Sequence, residues 1–291
     1  MLTINPKEQG VQALQSHIIR AVAPRPVAFV STIDKNGNVN LSPFSFYNAF
    51  SSNPPIVVFS PSRSGRTGIT KHTHDNVLDV PEAVINVVTY DMVHQTSLSS
   101  IEYPKGVNEF VKAGFTMMPS EIVKPPRVKE SPVQMECKVK EVIELGKEAG
   151  AGNLVVCEIV LMHISKNILN EHNFIDQNKI DLVGRLGANY YVRASGSALF
   201  EVAKPISHRG IGVDSIPEKI RNSSILTGNN LGQLGNVEQL PNKEEVLAYK
   251  QEHLKNIVSE KEIHSIAKKL LDEGKVEDGW KTLLSLENII D

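Results

Sequence analysis

The apolar positions of this chain change their period part-way along it. From residue 1 to about 204 the dominant signal is the strand: short β-branched or alternating runs closed by turn residues. Residues 27–32 (VAFVST) form one run, ended by Asp34, Asn36, Gly37 and Asn38. Residues 56–60 (IVVFS) follow Pro54-Pro55, and 84–89 (VINVVT) form a third. Over 133–145 apolar residues alternate with charged ones around Met135, Cys137 and Val139, and the strand pattern resumes over 154–164. The loop between them, 146–153, carries three glycines, which predicts an antiparallel hairpin. A loop centred there pairs positions whose numbers sum to about 299; the two cysteines sum to 294, so a cross-strand disulfide is not expected. Short helices are predicted over 67–77, 92–99 and 108–113. Strands in uneven succession with short interposed helices do not form a regular βαβ array. They predict a mainly β fold, an antiparallel barrel or sandwich with helical decorations.

From about Pro205 the period becomes helical. After a Gly/Asn-rich stretch, 227–236, three amphipathic helices are predicted. Asn242 with Glu245, and Ser259 with Glu262, have capping-box spacing. Ile263, Ile266, Ala267, Leu270 and Leu271 share one helical face, Gly274 suits a C-terminal cap, and Val276, Trp280, Leu283 and Leu284 form a third stripe. The expected division is a strand-rich domain, 1–204, and a helical C-terminal extension, 205–291, packed on the barrel or on a partner subunit.

Composition narrows the function classes. The 291 residues carry 31 Lys and Arg against 33 Asp and Glu, a net charge of −2. No basic excess is available for a nucleic-acid backbone or an anionic membrane. The most apolar run, 154–164, contains Glu158 and His163 and falls short of the roughly 18–20 apolar residues of a membrane span. The start, MLTINPKEQG, lacks a basic region followed by an apolar one, so no secretory signal is read there. Two cysteines do not make a disulfide framework, and the cytoplasm is the expected compartment.

Two segments carry candidate chemistry. Residues 60–73 (SPSRSGRTGITKHT) contain Arg63, Arg66 and Lys71, no acid, and hydroxyls at Ser60, Ser62, Ser64, Thr67, Thr70 and Thr73. Gly65 and Gly68 permit close backbone approach, and the segment leads from a predicted strand into a predicted helix. Backbone N–H groups, hydroxyls and cations in that setting suit a phosphate monoester; a solvated basic loop fits the same spacing. Residues 40–53 (NLSPFSFYNAFSSN) are rich in aromatic, hydroxyl and amide side chains. Phe44, Phe46, Tyr47 and Phe50 can wall a planar heterocycle, with Ser45 and Asn48 as hydrogen-bonding groups; an ordinary core strand with turn residues is the other reading. His72 and His74 would point to different faces of a helix and do not read as a metal pair, and Gly150-Ala151-Gly152 sits in a hairpin loop, not at a strand-to-helix turn. Cys137 and Cys157 lie within apolar strands as buried thiols.

In this order, the segments resemble the flavin reductase-like family of FMN-binding split-barrel proteins. The matching pieces are Arg25-Pro26-Val27 through Ser31-Thr32, the SPFSFYNAFSSNPP run, and SPSR with Lys71, Thr73 and Asn76. They continue with Val84-Ile85-Asn86-Val87-Val88, Lys124-Pro125-Pro126-Arg127 with Ser131-Pro132, and Gly184-Arg185-Leu186-Gly187 with Tyr190. The resemblance covers about residues 15–200. It implies an antiparallel Greek-key split β-barrel working as a homodimer, with FMN in a groove near the dimer interface. It implies that Ser45, Phe46 and Asn48 line the isoalloxazine, that Ser60, Ser62, Arg63, Thr70, Lys71 and Thr73 hold the ribityl phosphate end, and that Tyr190 approaches flavin or nicotinamide. His72 stands where many members carry an acidic residue, which removes a negative charge beside the expected phosphate. The implied activity is an NAD(P)H:FMN oxidoreductase, with NADH or NADPH over the flavin because no Rossmann element exists. An oxygenase would then take the reduced flavin. A flavoredoxin-like FMN electron carrier fed by a protein partner, and a non-catalytic dimeric binding domain, share the same signature.

Overall fold

The structure is a computed structural model that describes residues 1–203, 209–255 and 259–286. It divides into two compact units, Met1–Phe200 and Glu201–Asp291; the expected boundary at 204/205 lies outside the described residues. The first unit runs α1 (Val11–Ala21), β1 (Ala28–Ile33), β2 (Val39–Phe44), β3 (Tyr47–Ser52), β4 (Pro55–Phe59), α2 (His72–Asp79) and β5 (Glu82–Val87). It continues with α3 (Val93–Leu98), α4 (Glu109–Ala113), β6 (Met117–Met118), β7 (Arg127–Val128), β8 (Val133–Glu144), β9 (Asn153–Ile164), α5 (Gln177–Ile180), β10 (Leu182–Arg185) and β11 (Tyr191–Ala194).

Seven strands form one antiparallel sheet in the order β2-β1-β5-β8-β9-β4-β3. Its edge strands, β2 and β3, are consecutive in the chain and separated only by Ser45 and Phe46. A flat sheet of that width would hold its edges roughly 29 Å apart. A two-residue link reaches only about 11 Å. The sheet therefore curls on itself into a Greek-key split barrel, with the Ser45-Phe46 corner at its seam.

The near-continuous apolar character of β1 follows from burial on both faces. Ala28 and Val30 point into the barrel with Phe59, Ile85, Met135 and Val155. Phe29 points outward and is covered by Leu41, Val93, Phe110, Phe115 and Val128, a second core that seats α3 and α4. Phe29 and Phe115 meet edge to face at 5.1 Å. The β8–β9 hairpin turns one residue earlier than predicted, pairing Glu144 with Asn153, and two register shifts follow along it. Cys137 consequently faces Ile159 and Cys157 faces Val139; both thiols are free and fully buried. Burial pushes the Cys157 thiol up to about 12 and raises Cys137 well above the usual thiol range. A thiol reagent such as DTNB at pH 8 is accordingly expected to label neither cysteine in the folded protein and both in denaturant; rapid native labelling would contradict this packing.

The helix predicted over 67–77 starts only at His72, because Gly68 takes φ +71 and the chain closes on itself through Ser64 N–H to Ile69 C=O at 2.9 Å. Helix α1 has no strand-period signal and was not predicted; none of its residues is buried. The 92–99 and 108–113 stretches become α3 and α4.

The second unit contains α6 (Glu218–Arg221), α7 (Gly228–Gly235), α8 (Lys243–His253), α9 (Glu260–Asp272) and α10 (Val276–Leu284). Asn242 and Glu245 form a reciprocal capping box on α8, and Ser259 caps α9 through Glu262 N–H at 3.2 Å. Ile263, Ala267 and Leu271 on α9 and Trp280, Leu283 and Leu284 on α10 are buried, as the stripes predict, whereas Ile266 and Leu270 are only partly covered. The Trp280 indole N–H donates to Leu234 C=O at 3.1 Å. A Cβ on Gly279 would lie 2.9 Å from a Leu271 methyl, so the close approach of α9 and α10 requires glycine there.

Candidate functional site

The two segments singled out from sequence meet at the barrel seam. Ser60 N–H donates to Phe46 C=O at 2.8 Å, tying the start of the 60–73 segment to the corner between β2 and β3. At that corner Ser45 is half-buried and Phe46 is exposed. Asn48, on β3, is also exposed, and its Oδ1 accepts the Ala49 N–H at 2.8 Å. The four aromatic residues proposed as walls divide into two pairs. Phe44 and Tyr47 turn into the barrel, where Phe44 stacks on Phe59 at 5.5 Å, while Phe46 and Phe50 face outward. The physical reason is that Phe46 lies in the two-residue corner between the strands and Phe50 at the bulge in β3, where the alternation is interrupted.

Arg25 organises the corner. Its guanidinium donates to Ser45 Oγ at 3.3 Å, to Ile19 and Val22 C=O at 2.6 Å each, and to Leu186 C=O at 3.1 Å, and it lies 5.8 Å from the Phe46 ring centroid. One buried side chain thus closes the C-terminal end of α1, fixes the corner and holds the loop that carries Tyr190. Sequence reading named Arg25 only within the first of the pieces that carry the family resemblance.

Beside the corner lies a cleft of about 210 Å³. Asn40 and Ser42 of β2 form one side, residues from Ser64 to Thr73 another, and Ser99 to Tyr103 the third. Thr70, Lys71 and Thr73 are therefore brought together as expected. Thr73 is buried and accepts from Asn40 Nδ2 at 2.8 Å; the Thr70 hydroxyl donates to Asp75 Oδ1 at 2.9 Å. Ser60, Ser62 and Arg63 form the adjoining wall toward the hairpin. Ser60 Oγ accepts from Asn153 N–H at 3.2 Å. Arg63 donates to Gly68 C=O at 3.3 Å and to Glu144 at 3.4 Å, and does not line the cleft. Tyr190 stands apart, 72% exposed at the end of the loop between β10 and β11, directly before β11.

Two acids in the cleft come from distant segments. Glu102 is bonded to Lys71 and lies 3.7 Å from Arg66, so it occupies the cations that sequence reading assigned to a phosphate. The Lys71 hydrogen bond, more than its charge, lowers the Glu102 pKa. Glu109 is buried at the cleft floor and accepts Leu41 N–H at 3.0 Å; burial raises its pKa against that bond and the His72 charge. Neither acid had a local signal, because each reaches the cleft through tertiary packing. Replacing Glu102 with Gln releases Lys71 and Arg66. Because these groups are partly exposed, the pair is worth about 0–1 kcal/mol. FMN is expected to bind up to roughly fivefold more tightly. Unchanged or weaker FMN binding would show that these cations do not meet the phosphate.

The donor set fits a phosphorylated flavin. The wall and its surroundings hold buried polar atoms without a hydrogen-bond partner, Arg63 Nε, Asn153 Oδ1 and His74 Nε2, the last lying 3.7 Å from Glu144. Such atoms are costly unless a further group meets them.

A seven-stranded antiparallel sheet curled on itself and split at one corner, with a hydroxyl-lined cleft that holds Lys71, Glu102 and Glu109 between β2 and the 64–73 stretch, defines a split-barrel protein. The chain belongs to the flavin reductase-like family, whose domain model matches residues 20–181. An uncharacterised protein of Aquifex aeolicus is 36% identical over 196 residues, 67% of this chain and 97% of that protein. The structure of nitrilotriacetate monooxygenase component B from Bacillus cereus superposes with a TM-score of 0.65 at 29% identity, over 69% of this chain and 98% of that one. A split-barrel protein of Shewanella frigidimarina, assigned as a flavin reductase, gives 0.59 at 25% identity, over 70% and 100% respectively.

Proposed function

We propose that this protein is an NAD(P)H-dependent flavin reductase that works as a homodimer. The observation that supports this reading is the hydrogen bond from Ser60 to Phe46, which ties the start of the 60–73 segment to the corner, as a shared ring-and-phosphate site requires. Lys71, Thr70 and Thr73 would hold the phosphate of FMN in the cleft, with Ser60, Ser62 and Arg63 as its wall. Ser45, Phe46 and Asn48 would present the corner to the isoalloxazine, and Arg25 keeps Ser45 and Phe46 in place. FMN, when bound, would supply the redox chemistry, as the acceptor of a hydride from NADH or NADPH. The chain's own task is positional: to fix the ring and keep one face open to the nicotinamide. The relationship to a monooxygenase component supports an oxygenase as recipient of the reduced flavin.

The test is the visible spectrum of the purified protein with FMN, before and after anaerobic NADH or NADPH, followed by steady-state oxidation of each nucleotide with and without free FMN. Bleaching of the flavin band and turnover are expected. A protein that keeps FMN but oxidises neither nucleotide is an electron carrier of the flavoredoxin type, and one that takes up no FMN is a binding module.

A further inference from the structure

A second recess of the barrel unit, about 350 Å³, lies between α3 and the β10–β11 hairpin. It is larger than the cleft at Lys71 and falls within the roughly 300–1,000 Å³ of small-molecule sites. Its lining is of a different kind. Val93, Val183 and Val192 give it an apolar floor, and three tyrosines surround it. Tyr90, Tyr190 and Tyr191 are 45%, 72% and 37% exposed, an unusual concentration of uncovered aromatic surface on one recess.

One arginine of the lining, Arg193, and one behind it, Arg185, each lie over a tyrosine ring. Arg193 lies 3.8 Å from the Tyr90 ring centroid, and Asp181 grips it through two bonds of 2.8 and 2.7 Å. Arg185 lies 4.5 Å from the Tyr191 ring and donates to Tyr190 C=O at 3.3 Å. The Asp181 pair already balances the Arg193 charge, and Asp91 is nearby, so the recess is not a bare phosphate trap. What it offers is fixed guanidinium and phenol planes whose ordering is complete before a ligand arrives. Such planes stack nucleobases, at roughly 1–3 kcal/mol per base. The Asn189 amide, the Ser97 hydroxyl and the exposed His94 ring line the same recess and can read the edge of a base or bond a sugar-phosphate.

The recess also connects to the seam. Its wall includes the loop 186–190, closed by Leu186 N–H to Tyr190 C=O at 3.0 Å and Tyr190 N–H to Gly187 C=O at 3.2 Å. Ala188 takes a left-handed φ of 51° there, a conformation that costs a non-glycine residue on the order of 1 kcal/mol. Arg25 bonds Leu186 of this loop and Ser45 of the corner with the same guanidinium.

We propose that this recess binds the adenine nucleotide portion of the nicotinamide dinucleotide, with the base stacked on the Arg–Tyr planes and Asn189 at its edge. The identity of the donor rests on the reductase reading; the preference for a nucleobase over an inorganic anion rests on the recess itself.

The probe is ADP-ribose, which carries the adenine nucleotide and lacks the nicotinamide, titrated calorimetrically into the full-length protein. Two variants are compared: Ser97→Trp, which fills the recess from the exposed face of α3, and Asn189→Ala, which removes the edge contact. Wild type is expected to bind ADP-ribose, Ser97→Trp to lose at least tenfold in affinity and Asn189→Ala severalfold, with FMN binding unchanged in both. In turnover, both variants are expected to raise KM for NADH or NADPH while leaving oxidation of reduced nicotinamide mononucleotide, which has no adenosine, at its wild-type rate. ADP-ribose binding that neither variant alters, or no binding alongside intact NADH oxidation, overturns the recess assignment and leaves the reductase reading standing. Recess-dependent ADP-ribose binding without oxidation of any nucleotide supports the recess and overturns the reductase reading instead.

Discussion

Replacing Arg63 and Lys71 together with alanine is expected to weaken FMN by roughly 10²–10⁴-fold while riboflavin binding changes by no more than a few-fold. Each charge-assisted phosphate contact is worth about 1.5–3 kcal/mol. Two of them therefore span about 3–6 kcal/mol, at 1.4 kcal/mol per factor of ten. Riboflavin lacks the phosphate and so does not sense these charges. The structure separates the two contributions. Lys71 lines the cleft and must exchange Glu102 for the ligand, which subtracts part of its gain. Arg63 stands in the adjoining wall with Nε buried and unpartnered, so its removal also loosens the Gly68 turn it bonds. Fluorescence-quenching titrations of the two flavins decide the matter, and equal weakening of both would place the phosphate elsewhere.

How much of this was readable beforehand varies with the range of the interaction. The strands 27–32, 56–60 and 133–145 were legible because alternation and β-branching are local. The barrel interior and the covering helices then fell on opposite faces of β1, Val30 against Phe29. The capping box at Asn242 and Glu245 was legible for the same reason, whereas Ser259 forms a cap without the reciprocal bond from Glu262 to its backbone N–H. Helix α1 was not, since its apolar residues do not enter a core. The start of α2 was misplaced because backbone closure at Ser64 and Ile69 outweighed helical periodicity. At the candidate site the structure joins the 40–53 and 60–73 segments through the Ser60–Phe46 bond, but Phe44 and Tyr47 turn inward. Glu102, Glu109 and Arg25 could not be read at all, because what matters about them is the partner each finds up to 161 positions away.

Several of the segments that carry the family resemblance prove to be anchors rather than ligand contacts. Asn86, in the middle of β5, donates to Phe29 C=O at 2.9 Å and accepts Val128 N–H at 2.9 Å. Ser131 bonds Val87 C=O at 2.7 Å and Val133 C=O at 2.8 Å. Gln134 Nε2 donates to Val128 and Ser131 C=O, and Arg127 donates to Gln134 Oε1 at 3.1 Å. These side chains add to the short β6–β7 ladder and tie residues 127–131 to β1, β5 and β8, which sets Val128 in the core outside β1.

Glu136 is the keystone of that arrangement, and Glu136→Ala is expected to cost about 3–5 kcal/mol of stability, the range for stripping one partner from a buried charged network. The carboxylate is fully buried and accepts N–H bonds from Glu121, Ile122 and Val123 at 2.8, 2.6 and 3.1 Å, with His163 Nε2 at 2.8 Å. Burial alone would raise its pKa; the backbone bonds and His163 together outweigh burial and leave it below the usual carboxylate range. A depressed folded-state pKa stabilises the fold at pH values above the unfolded value of about 4.3. That contribution is lost as pH falls through the folded value. Glu136→Gln keeps the volume but turns an amide donor toward backbone donors, so it is expected to be destabilising as well. Urea unfolding of wild type and both variants at pH 7, then at successively lower pH, measures this. The gap between wild type and Glu136→Ala should be widest at neutral pH and close on acidification. A gap independent of pH would mean that volume, and not the charge held by the 121–123 amides, is what the barrel loses.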